Sequence, residues 1–179
     1  QSSLLSEDYL AVNTILLQFI LFSSFFLDAY AFSTEGVVGF SLGRKVKKNF
    51  LLTVNNSFKL SFCSGLIISL IFFISFKYLI NILTDLDYLR YLSYGFIFWI
   101  IAIPPIASFC YQYDGIFIGT SQTADMRNSM VISVLIFIFL STILSKNFGN
   151  HGLWTSLLVF MVVRSLTLRF CFSNILKKF

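Results

Sequence analysis

Residues 58–83 read FKLSFCSGLIISLIFFISFKYLINIL, an apolar run with two lysines and no acid. Its length is close to the ~20 residues a helix needs to cross a bilayer. Polarity does not alternate along it, as it would in a membrane barrel strand. Four more runs of the same kind lie at 9–38, 89–119, 126–144 and 153–172. Hydrophobic residues make up 57% of the chain, charged residues only 12%, and 23 residues are Phe. An ordinary soluble domain carries roughly 25% charged residues, so this chain lacks the polar residues to cover a soluble core. The sequence therefore predicts an all-α, polytopic transmembrane helix bundle, one domain over 1–179.

Charge supports this class and excludes others. The net charge of +5 lies in short loops and at the C-terminus, where membrane orientation is set, so no nucleic acid is expected. Arg44, Lys45, Lys47 and Lys48 fill the first loop; Arg127 follows the third run; Arg169, Lys177 and Lys178 flank the end. The alternate side holds only Lys77, Arg90 and Lys146. The positive-inside rule then places the first loop, the third loop and the C-terminus in the cytoplasm and the N-terminal residues outside. Residues 1–8 read as a polar loop that does not begin with Met. An outside start and an odd number of crossings lead us to expect an earlier helix before Gln1, with the chain a fragment of a larger transporter.

Acids and bases inside apolar runs are the candidate functional groups. A charge at the bilayer centre costs at least ~2.5–3.5 kcal/mol on insertion scales, so such residues mark pathways or pairs. Asp28 and Glu35 are two helical turns apart, ~10 Å along the axis, on one face of the first helix. They read as a proton or cation relay, or as carboxylates locked to a neighbouring helix; Glu35 is also placed to reach water or Arg44. Asp114 has Tyr111, Gln112 and Tyr113 beside it, oxygens that suit a hard cation such as Na⁺ or a proton exchanged against one. Arg164, in mid-helix, reads as the partner of one of the acids. Pro104 and Pro105 remove two donors in mid-helix and predict a bend, static or a hinge. Gly36, Gly39 and Gly43, with Ala29 and Ala31, predict a close-packing face. His151 reads as an interfacial cap. Cys63, Cys110 and Cys171 lack metal-type spacing and read as small buried hydrophobes. One His and no nucleophile–base arrangement or phosphate loop exclude an intramembrane enzyme of the usual kinds, and no cofactor is expected.

Specific strings carry a resemblance. Ala11 to Gln18, Leu27 to Gly39 and Gly43-Arg44 are similar to the second helix of the C-terminal lobe of MATE-family exporters. Tyr113 to Thr120 with Asp125 to Asn128 resembles the fourth helix of that lobe, and Gly149 to Trp154 with Arg164 to Leu168 the last. In this order they look like the DinF branch. The resemblance implies twelve helices in two six-helix lobes, of which this chain is the C-terminal lobe: five complete spans plus the end of a preceding one. It implies export of small organic cations or drugs in exchange for H⁺ or Na⁺ across the bacterial cytoplasmic membrane, with a missing N-terminal lobe as partner. Asp114 matches the acid that helps bind the ion in Na⁺-coupled members. Those members have Tyr four residues earlier, where this chain has Cys110 and then Tyr111. A lipid-linked oligosaccharide flippase of the same superfamily would want several basic residues in its cavity, and only Arg164 offers that. A non-transporting membrane scaffold is the alternative outside transport.

Overall fold

The computed structural model describes residues 7–177; the remainder of the expected N-terminal loop, 1–6, and Lys178 lie outside the described residues. Within them the chain is all-α. Five helices follow in order: α1 Glu7–Gly43, α2 Lys47–Leu83, α3 Asp87–Tyr94, α4 Ile97–Gly119 and α5 Thr123–Leu176. By length and composition α1, α2 and α5 can each cross a membrane, and so can α3 and α4 taken together.

Several boundaries differ from the sequence reading, for physical reasons. The second apolar run begins at 58, after the polar Asn55, Asn56 and Ser57, yet α2 already starts at Lys47. Their weak helix propensity is overridden because this part of α2 buries Phe50 and Val54. The first loop shrinks to a tight turn with Lys45 at φ 54°.

The expected bend at Pro104-Pro105 is absent as a break: α4 is helical through both. The bend of this segment, 56°, lies between Tyr94 and Ile97 instead. Neighbouring α2 makes the proline pair tolerable. Gly65 lies so close that a Cβ there would meet the Pro105 Cα at 2.9 Å. The Ser69 hydroxyl donates to the Ile101 carbonyl at 2.7 Å. Membrane helices keep proline when a neighbour satisfies the freed backbone in this way.

α5 is two arms folded back on each other. Gly149 (φ 57°, ψ −136°) interrupts its helical geometry. Residues equally far from the reversal then meet: Ser129 bonds Thr167, and the Phe137 and Phe160 rings are 6.0 Å apart. Near the turn the backbone of Gly152 touches the Leu144 carbonyl, where a side chain has no room.

α4 is the central element, packed on α1, α2 and α5. Its seam with α1 is backbone against backbone. A Cβ on Gly115 would meet the Ala31 carbonyl oxygen at 2.4 Å, and one on Gly119 the Glu35 carbonyl oxygen at 2.4 Å. Of the glycines expected to form this face, Gly39 does so, against Gly119, while Gly36 and Gly43 have nothing within 4 Å.

The apolar interior is divided. One cluster joins Leu16, Phe19, Phe72, Phe76, Ile100 and Trp154. The other joins Val38, Phe50, Val54, Ile116, Phe117 and Leu168. The first uses the early part of α1 and α4 and the late part of α2; the second uses the reverse. The level between them is where the polar side chains lie.

Candidate functional site

Four helices bring polar groups to that middle level. α1 supplies Ser24, Asp28, Tyr30 and Thr34; α2 supplies Ser61 and Ser64; α4 supplies Tyr111, Gln112 and Asp114; the second arm of α5 supplies Arg164. Helical spacing sorts them by face. Tyr111 and Asp114, three apart, share one side of α4, and Gln112 is turned toward α1.

The centre is an ion pair. An Arg164 Nη2 donates to the Asp114 Oδ2 at 2.8 Å, with side chains only 16% and 18% exposed. The contact is single-pronged. Asp114 Oδ1 and Arg164 Nε are both buried without a hydrogen-bond partner among the described residues. A bidentate pair would satisfy more of these groups. Asp28, half-buried on α1, is close enough to act through space on both Asp114 and Tyr111.

Beside the pair runs a neutral network. Thr34 Oγ1 donates to Gln112 Oε1 at 2.8 Å. Gln112 is fully buried, and its Nε2 and the Ser61 hydroxyl have no partner among the described residues. The Ser64 hydroxyl donates to the Tyr30 hydroxyl at 2.8 Å.

The structure separates other expected members from this cluster. Tyr113 turns to the opposite side of α4, packs on Phe58 and accepts from Arg169 Nη1 at 3.4 Å. Glu35 lies nearer the α1–α2 turn and makes none of the ion pairs found among the described residues. Arg44, one candidate partner for it, sits over the Phe40 ring at 5.3 Å. Pro104 and Pro105 contact α2 rather than the pair.

In this conformation the carboxylate of Asp114 is engaged by a cation of the protein itself. Asp114 Oδ2 already holds the Arg164 guanidinium, whose charge repels a second cation brought close to the same carboxylate. No group of three or more His, Cys, Asp or Glu able to hold a metal occurs among the described residues.

One polar group escaped the sequence reading. Asn13 and Asn150 exchange amide bonds at 2.7 and 2.9 Å, and the Trp154 indole donates to Asn13 at 2.8 Å. The signal was a lone amide in an apolar run. His151 caps the same end, stacked on Phe96 and accepting from Trp99 at 3.1 Å.

The MatE family profile matches residues 2–144. The chain belongs to the MatE family. It is 30% identical over 164 residues to the DNA damage-inducible protein F of Escherichia coli (strain K12), covering 92% of this chain and 36% of that protein. It is 24% identical over 157 residues to Protein DETOXIFICATION 42 of Arabidopsis thaliana, covering 87% of this chain and 30% of that protein. The chain thus spans about a third of the length of the curated relatives it matches. No solved structure matches the chain significantly. Within the MatE family this chain resembles the DinF-like members, and its helices form a membrane bundle.

Proposed function

We propose that this chain is the C-terminal lobe of a MatE-family antiporter that exports small organic cations in exchange for a coupling ion. The observation that carries the reading is the Asp114–Arg164 pair, set in a polar level between two apolar clusters. A carboxylate and a guanidinium held in the membrane region cost stability, and one contact leaves both with unmet groups. Such a pair is suited to opening: protonation of Asp114 removes the charge that holds Arg164. On this reading the coupling ion is the proton, since protonation of Asp114 by itself removes the charge that holds Arg164.

Coupling then needs two states with opposite preferences. The protonated state releases Arg164 from α4; the ionised state is free to take either Arg164 or a substrate cation. Substrate and proton each bias the lobe according to their different affinities for the two states. Asp28 of α1 and Tyr111 of α4, beside Asp114, would extend the acidic and polar wall a cation would meet. On this reading the basic first loop and C-terminus lie on the cytoplasmic side, as the positive-inside rule would have them, and the second lobe of the same protein would complete the pathway.

The test is efflux of a fluorescent organic cation from cells expressing the whole gene, wild type against Asp114→Asn at matched expression. Export by wild type and its loss in the variant supports the antiporter with Asp114 in the coupling site. Equal export by both removes Asp114 from coupling. A variant that loses thermal stability but keeps its flux per folded molecule favours the scaffold role for this pair.

A further inference from the structure

On the side of α4 away from the ion pair, α2 and the second arm of α5 flank an open cavity of about 560 Å³. That volume falls in the ~300–1,000 Å³ range of small-ligand sites. Its lining is sorted along its length. Asn55, Tyr113 and Arg169 lie at one end, and Ile106, Phe109 and Val162 toward the other. All three helices agree on this direction although they do not run in parallel. Moving outward from the α1–α2 turn, α2 advances in sequence while α4 and α5 recede, and each passes from polar to apolar.

The polar end is also the basic end of the bundle. Asn55 lies about two turns from Lys47 and Lys48, and Arg169 about two turns from Lys177. Arg169 is exposed, and its contact to the Tyr113 hydroxyl leaves most of its five N–H donors free. The apolar walls are open as well, with Phe109 39% and Leu166 49% exposed.

We infer that this groove holds an anionic phospholipid of the cytoplasmic leaflet, with its phosphate on Arg169 and an acyl chain along Phe109 and Ile106. A cationic headgroup or an organic cation meets the wrong charge at the only ionised side chain in the lining. A soluble anion leaves the apolar walls formed by Ile106, Phe109 and Val162 unused. Charged pockets between membrane helices on the basic side are the usual seats of anionic headgroups. The site is independent of the ion pair and of transport.

Native mass spectrometry of the whole protein in mild detergent, given equal phosphatidylglycerol and phosphatidylcholine, tests this. Wild type should retain phosphatidylglycerol preferentially. Arg169→Gln should lower that preference about fivefold, the effect of one basic residue near an anionic surface. Arg169→Lys should keep most of it. Val162→Trp, which fills the apolar end and leaves every charge in place, should lower retention of both lipids and carries the test if Arg169→Gln does not fold. Equal retention of the two lipids by wild type overturns the inference. So does an unchanged preference in Arg169→Gln, or thermal protection by inorganic phosphate as strong as by the lipid. The readout involves no transport, so an inactive exporter leaves it intact.

Discussion

The Ser69 hydroxyl on α2 supplies the Ile101 carbonyl on α4 with the hydrogen bond that Pro105, lacking an N–H, cannot give. A proline pair in mid-helix is thereby kept in a continuous helix by a side chain of its neighbour. Ser69→Ala should cost about 1 kcal/mol, in the range measured for hydrogen bonds between membrane helices. Thermal unfolding of the detergent-solubilised protein checks it, and no change in melting temperature would mean the carbonyl finds another donor.

The α1–α4 seam predicts a contrast between glycines. Gly115→Ala and Gly119→Ala drive a methyl into the carbonyls of Ala31 and Glu35. Each should destabilise by about 1–3 kcal/mol, as overpacking does. Gly36→Ala meets open space and should be neutral or stabilising by roughly 0.5 kcal/mol through helix propensity. Melting temperatures of the three variants at matched expression decide the matter.

The ion pair predicts non-additivity. Asp114→Asn or Arg164→Gln alone leaves one charge unpaired in the membrane region and should cost on the order of 3 kcal/mol. The double variant removes both charges and should recover much of that stability. Efflux should stay lost in the double variant, which separates coupling from packing.

Gly149 predicts a backbone effect. Its φ of 57° with ψ of −136° is a conformation nearly confined to glycine. Gly149→Ala has space for its methyl but not the torsions, and should destabilise by about 1–3 kcal/mol. Cysteine cross-linking between residues 129 and 167 in that background would report whether the two arms still meet.

The class of this fold was legible because composition decides it: five apolar runs and few charges leave no soluble alternative. Asp114 and Arg164 were legible as costly residues, and the structure adds that they face each other. Tyr113 was misplaced because proximity in sequence suggested proximity to Asp114, whereas one helical step turns it away from that side of α4. The start of α2 was misjudged because Asn55 and Asn56 look like loop residues locally. Burial of Phe50 and Val54 against other helices outweighs that preference, and no local pattern carries it. The Asn13–Asn150 bond joins residues 137 positions apart, a separation only the packed bundle reveals.

At Gly115 and Gly119 the backbone of α4 lies directly on the backbone of α1. Cores elsewhere resist sliding because each rotamer is wedged between others. Here two smooth stretches of backbone lie side by side, and the Thr34–Gln112 hydrogen bond is the latch that crosses between the two helices. This close joint is therefore also suited to be a bearing, and small axial sliding of packed helices is one of the ways proteins change state.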